Sequence, residues 1–248
     1  MARSWEPAYG RAMALQLTGI RVDATDPQAL ARFWAEILHG EVPPTRPGVV
    51  VLPDEAYVLH FVAATEPKRG RNRIHLDLTS ATPEAQQATV ARALELGGSP
   101  YDVGQTGEEG HVVLADPEQN EFCVIEAGNR FLAGRGSIGG INCEGTRATG
   151  EFWRTALGWE FNWDEEEETA ITPPAGGSTV TWSGPPLLDK PASGRNRVRL
   201  ELTVDDDVDA AADRLVSLGA SRVGAGDDGT LLLADPDDNE FHLGAGPR

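Results

Sequence analysis

Two stretches of this chain put reactive side chains in the same setting but choose different groups for it. In Arg71-Asn72-Arg73-Ile74-His75-Leu76-Asp77-Leu78-Thr79, an imidazole and a carboxylate stand two residues apart. In Arg195-Asn196-Arg197-Val198-Arg199-Leu200-Glu201-Leu202-Thr203 the imidazole has become a guanidinium and a carboxylate is kept. A second repeated stretch runs from Leu114-Ala115-Asp116-Pro117 to Asn120-Glu121-Phe122 and returns as Leu233-Ala234-Asp235-Pro236 to Asn239-Glu240-Phe241. Three residues after its asparagine stands Cys123 in one copy and His242 in the other. Residues two apart on a strand share a face, so Asp77 lies beside His75 and Glu201 beside Arg199. Imidazole and thiolate can bind divalent metals, whereas a guanidinium keeps its charge and grips oxyanions. The two carboxylates read equally as proton-transfer groups and as hydrogen-bond acceptors at a strand end.

These matches recur in one order at a nearly constant offset, and Phe33-Trp34 returns likewise as Phe152-Trp153. Such a pattern marks a duplicated unit with length changes confined to loops. Each half divides again. Leu17 to Val22 reads as a strand, Asp26-Pro27 as a helix start, and Leu30, Phe33, Trp34, Ile37 and Leu38 as a buried helical stripe that Gly40 ends. Short strands follow near 49–52 and 57–63, with one strand of this module unresolved by pattern. The plan restarts with a strand at 73–78, a helix at 82–96 and strands near 99–103, 111–115 and 121–125. In the second half it gives a strand at 137–143, the Phe152-Trp153 helix closed by Gly158, and strands near 159–163, 169–172 and 179–182. Last come a strand at 198–203, a helix at 208–218 and strands near 222, 229–234 and 240–243. Four β-α-β-β-β modules make an α+β protein. The expected division is a tail at 1–14, one domain at 15–127, a linker at 128–135 and a second domain at 136–245.

Composition narrows the function. A net charge of −18 on 248 residues disfavours nucleic acid and anionic membranes, which need clustered Lys and Arg. No apolar run reaches the roughly 18–20 residues of a membrane span, and residues 1–17 lack the apolar stretch of a secretory signal. Two cysteines form no disulfide framework, which fits a cytoplasmic protein with reduced thiols. The acidic runs 164–168 and 205–207 read as a solvated loop and a helix N-terminus, a metal loop being the weaker alternative. No G-x-S-x-G elbow, P-loop or C-x-x-C motif is present.

The Phe-Trp helices lead into Leu38-His39-Gly40-Glu41 and Leu157-Gly158-Trp159-Glu160. With His75-Leu76-Asp77-Leu78 and the Asp-Pro-x-x-Asn-Glu-Phe turns, they resemble the glyoxalase-like branch of the vicinal oxygen chelate superfamily, which holds glyoxalase I, extradiol dioxygenases and bleomycin-resistance proteins. The resemblance covers about 15–127 and 136–245. It implies paired modules whose curved sheets form a cup for a ligand or metal. The turns depart from the family form, since Gln119 and Asp238 stand where relatives carry glycine. A left-handed backbone there would suit Asp better than Gln.

Metal-using relatives place ligands on the first and last strand of each module. Carried onto this chain, those positions are Arg21, His60, His75 and Cys123 in the first half. In the second they are Asn142, Thr181, Arg199 and His242. The second set cannot hold a cation beside Arg199. In the first, His60, His75 and Cys123 suit zinc, with Arg21 placed for an anionic oxygen, although the usual carboxylate is missing. The leading expectation is a metal-free binder of a small organic ligand carrying an anionic group, gripped by Arg21 and Arg199. Trp163 and Trp182 would add stacking surface, with sheet packing as the competing reading. The alternatives are a lyase or dioxygenase using zinc, iron or manganese in the first half, and an antibiotic-sequestering protein. The expected cavities pair Arg21 with His75 and Asn142 with Arg199. Cys123, beside Arg21 and His75, should then be an acidic thiol. The chain is expected to work as a monomer or homodimer.

Overall fold

The computed structural model describes residues 15–106, 108–190, 194–226 and 228–246. The expected N-terminal tail, 1–14, lies outside them. The first module comprises β1 (Leu15–Ala24), α1 (Pro27–Leu38), β2 (Val49–Val51) and β3 (Val58–Ala63). Where a fourth strand would complete it, Glu41 makes a single bridge to Val51. The second module comprises β4 (Ile74–Leu78), α2 (Pro83–Glu95), β5 (Ser99–Pro100), β6 (Val112–Ala115) and β7 (Glu121–Val124). The third has β8 (Ile138–Cys143), α3 (Arg147–Leu157), β9 (Glu160–Glu165), β10 (Glu168–Thr172) and β11 (Thr179–Trp182). The fourth has β12 (Val198–Val204), α4 (Val208–Leu218), β13 (Ser221–Ala225), β14 (Leu231–Ala234) and β15 (Glu240–Ala245). No described helix is long and apolar enough to cross a membrane.

Local chemistry sets the helix ends. Asp26 accepts from the Ala29 amide and Pro27 opens α1, an N-cap with proline at the first helical position. The helix stops one residue earlier than glycine placement suggests: His39 itself is left-handed (φ 53°) where the third module uses Gly158 (φ 68°).

The strands form two curved sheets. One runs β13-β14-β15-β12-β1-β3-β2 and the other β5-β6-β7-β4-β8-β11-β10-β9. This corrects the expected grouping. The first module shares a sheet with the fourth, and the second with the third. Antiparallel pairing of β1 with β12 sets Arg21 opposite Arg199, and pairing of β4 with β8 sets His75 opposite Asn142. The division near residue 128 therefore separates two sequence copies, but each sheet draws one module from each copy.

What holds a sequence half together lies on the helix side. Trp34 Nε1 on α1 donates to Asp116 Oδ2 at 3.1 Å, and Trp153 on α3 donates to Asp235 Oδ2 at the same distance. Glu118 accepts from the amides of Thr25 and Asp26 at the start of α1, as Asp237 does from Thr146 at the start of α3. The repeated Asp-Pro turn is thus a hook from one sheet to a helix of the other, and its residues are structural. Gln119 (φ 68°) and Asp238 (φ 64°) both take the left-handed backbone the turn requires. Trp34 with Phe122 and Trp153 with Phe241 pack edge to face in the core on either side of these hooks.

Candidate functional site

Each sheet has one face under the helices and one open face, and strand alternation decides which residues occupy the open one. On β4, Ile74, Leu76 and Leu78 are buried under helices, while His75 and Asp77 are half-exposed on the other side. Cys123 on β7 pairs with Asp77, and Asn142 on β8 pairs with Thr181 on β11. The eight-stranded sheet thus collects His75, Asp77, Cys123, Asn142 and Thr181. By the same rule the seven-stranded sheet collects Arg21, Asp23, His60, Arg199, Glu201 and His242. The expected sets are exchanged: His60 is parted from His75 and Cys123, and Arg21 from both.

In the seven-stranded cup the charged groups answer one another. Arg21 Nη1 lies 3.1 Å from Glu201 Oε1 and 2.5 Å from Asp228 Oδ2. Arg199, with 0% exposure, grips Asp23 through both terminal nitrogens, at 2.5 and 3.0 Å. Its Nε donates to His242 Nε2 at 3.3 Å, and Thr230 meets His242 Nδ1 at 2.8 Å. His60 Nδ1 is 3.1 Å from Glu201. Burial, with the charges of Arg21 and Arg199 behind it, pushes His242 down to about 4. Burial also works against ionised Asp228, but hydrogen bonds from Thr230 and Arg21 hold it well below the usual carboxylate range. Arg21 and Arg199, the expected grip on an anionic ligand, both hold carboxylates of their own chain in an internal ion network.

The eight-stranded cup is arranged differently. One ligand-type atom each from His75, Asp77 and Cys123 lies within 4.8 Å of the others. His75 Nε2 is 3.4 Å from Asp77 Oδ1, close enough for charge but outside hydrogen-bond geometry, and that oxygen has no hydrogen-bond partner among the described residues. The buried Thr181 Oγ1 is likewise unpartnered, and Asn142 accepts from Ser183 at 2.8 Å. Gly140 faces Asp77, where an added Cβ would sit 3.4 Å from its Oδ2, so the small residue keeps the carboxylate clear. Leu132 of the interhalf linker packs over Gly139 and Gly140. Burial alone would lower His75, but its close contacts with the Asp77 carboxylate and Cys123 win and raise it to about 10.

Two expectations are corrected here. Cys123 is not acidic: burial raises its thiol, Asp77 adds to that, and His75 only partly offsets them, while Arg21 belongs to the other cup. Trp182 does not face a ligand. It is 1% exposed among core side chains, on the face opposite its neighbour Thr181. Trp163, 38% exposed, packs edge to face on Phe131 of the linker at 5.8 Å. Asp77 is the site residue the transferred positions passed over. Its signal was present in its two-residue spacing from His75.

The family model described as "Glyoxalase-like domain" matches residues 19–125 and again 140–244. The chain belongs to the glyoxalase-like domain family. Among solved structures, this glyoxalase-like chain is similar to glyoxalase I from Zea mays, with 11% identity and a TM-score of 0.61 over 93% of this chain and 92% of that one. A candidate dioxygenase from Bacillus subtilis gives 16% identity and a TM-score of 0.58, covering 95% and 86%. A glyoxalase/bleomycin resistance protein from Albidiferax ferrireducens T118 gives 17% identity and a TM-score of 0.33, covering 44% and 96%. At these identities the likeness concerns the fold. A search of the curated proteins found no match.

Proposed function

We propose that the eight-stranded cup is the working site of this glyoxalase-like protein, and that it acts on a small oxygen-bearing organic molecule beside a zinc-type divalent ion held by His75, Asp77 and Cys123. The observation that carries the reading is the convergence of those three donors from two adjacent strands. Zinc bonds of about 2.0–2.3 Å ask for donors roughly 3.3–3.8 Å apart in a tetrahedron. The three donor atoms lie within 4.8 Å of one another and would draw closer together around a bound ion. The unpartnered Asp77 Oδ1 supports the fit, because a buried carboxylate oxygen without a donor is the kind of atom a cation satisfies. When bound, such an ion supplies Lewis acidity towards a carbonyl or hydroxyl oxygen.

The donor set also favours one reaction class over another. Non-haem iron oxygenases use two histidines and a carboxylate, while thiolate favours zinc. Among the described residues no second histidine places a nitrogen within metal-binding reach of His75, Asp77 and Cys123. This supports a lyase- or isomerase-type activity over a dioxygenase. Within the cup Asn142 and Thr181 offer hydrogen bonds to orient the substrate, and Leu132 packs against the glycine side.

A metal-free binding site is the second reading. It is favoured by the His75–Asp77 contact, which lets an imidazolium answer the carboxylate with no ion present. Elemental analysis separates the two. Protein loaded with zinc and desalted should retain close to one ion per chain, and His75→Ala and Cys123→Ser should each lose it. Retention of none by the wild-type protein would sink the metal reading and leave ligand binding.

A further inference from the structure

Away from both donor clusters, the segment leaving β3 passes the residues entering β4 and β12, and a cavity of about 640 Å³ opens between them. Its lining includes Lys68, Arg69, Arg71, Arg73, Arg195 and Arg197, against only two acids, Asp23 and Glu66. The whole chain has 21 cationic residues and a net charge of −18, so the balance of residue types in this lining is the reverse of that of the chain.

Part of the cluster has structural work. Lys68 lies 2.8 Å from Glu121, Arg197 pairs with Glu118, and Arg69 and Arg195 stand 3.6 and 3.7 Å from Glu66 and Asp23. Arg73 is different. It is 6% exposed, its Nη1 donates to the Asp237 carbonyl at 2.9 Å, and its Nε, like that of Arg197, has no partner. Among the described residues no carboxylate forms an ion pair with it. A guanidinium cannot shed its charge, and a buried charge without a counter-ion is costly. The duplication shows that the fold can supply that counter-ion. Arg197 is the counterpart of Arg73 and has Glu118; the counterpart of Glu118 is Asp237. Asp237 instead turns its carboxylate to Thr146 and Thr149 at the start of α3, at 2.6 to 2.9 Å. Arg71, exposed on the same lining, also has no ion pair among the described residues.

We infer that this cavity binds a small oxyanionic group, of phosphate or carboxylate chemistry, with Arg73 and Arg71 as its principal donors. The volume falls in the range of small-molecule sites, about 300–1,000 Å³. Planar guanidinium forks match the paired oxygens of such groups. The site uses none of His75, Asp77 or Cys123, so its fate is independent of the metal reading.

The test is calorimetric titration of inorganic phosphate, pyrophosphate and citrate into the full chain at constant ionic strength. Wild-type protein should show saturable binding of one anion per chain. Arg71→Ser should weaken it about tenfold, the loss of one charge-assisted hydrogen bond. Arg73→Met should abolish it without lowering the thermal midpoint in the absence of anion, because the variant removes an uncompensated charge. Arg32→Ser, an exposed change on α1, should bind as wild type. Tighter pyrophosphate marks a phosphorylated ligand and tighter citrate a polycarboxylate, and either supports the site. No saturable heat up to about 10 mM overturns it. So does binding undiminished in Arg71→Ser, a variant whose exposure keeps the test open even if Arg73→Met does not fold.

Discussion

The two cups share one scaffold and differ in a handful of side chains. Gly19 faces Glu201 as Gly140 faces Asp77, and Arg21 faces Arg199 as Asn142 faces His75. In the seven-stranded cup two guanidiniums and three carboxylates close into a network that leaves little for a ligand to do. In the eight-stranded cup a carboxylate oxygen and a hydroxyl are buried without partners beside an imidazole and a thiol. The exchange of modules makes this division of labour possible. Had each sequence half formed its own cup, an arginine would stand in both. Crossing the halves gathers the arginines in one sheet and the metal-type donors in the other.

The comparison can be broken first at its strongest point. Asp23→Ala should cost about 3–5 kcal/mol in urea denaturation, because it strands the fully buried Arg199. Asn142→Ala, the change in the other cup, should cost no more than about 1 kcal/mol. Equal losses would mean that the ion network is not what fills the first cup.

A smaller effect tests the same cup by pH. His242 stays neutral in the fold down to about 4, while an unfolded chain takes up a proton near 6.5. As pH falls between those values the unfolded histidine gains a proton and the native one does not, so the contribution of His242 to stability should drop. The loss amounts to roughly 3 kcal/mol, all of it below pH 6.5. His242→Gln should flatten that decline between pH 6.5 and 4.5, above the range where Glu201 and Asp228 protonate. An unchanged acid limb in the variant would place the loss elsewhere.

The smallest effect is kinetic and belongs to the other cup. With its thiol raised by burial, Cys123 should react with iodoacetamide at pH 7 more slowly than a free thiol. Cys143, 2% exposed and raised further, should stay unlabelled until the protein unfolds. Rapid labelling of Cys123 would restore the thiolate expected from sequence and would change the character of the site.

Element positions were largely legible in the sequence, because alternation and helical spacing report which face of each segment is buried. Strand partners were not. β1 can satisfy the same alternation beside β4 or β12, since the modules are copies and register rules see only the hydrophobic pattern. Every site grouping inherits that ambiguity, and pattern alone does not separate His60 and Arg21 from His75 and Cys123. The burial of Trp182 follows from strand alternation, because adjacent strand residues point to opposite faces and Thr181 faces the cup. Asp77 shares its face with His75 by the same rule, but the positions carried over from relatives did not include it.

The pairing of β1 with β12 also has a consequence in time. The chain emerges from synthesis N-terminus first, at about 5–20 residues per second. The side of β1 away from β3 has no partner until Val198–Val204 has been made. For most of synthesis that edge, carrying the buried Ile20 and Val22, is an open template for another nascent chain. The eight-stranded sheet has no such wait, because β4 and β8 lie close in sequence and its last strand ends at Trp182. The sheet with the open donors can therefore assemble first, and the ion-paired sheet closes only with the final module. Non-local pairing of this kind makes folding slow, and in this molecule the delay falls on the cup held together by charge.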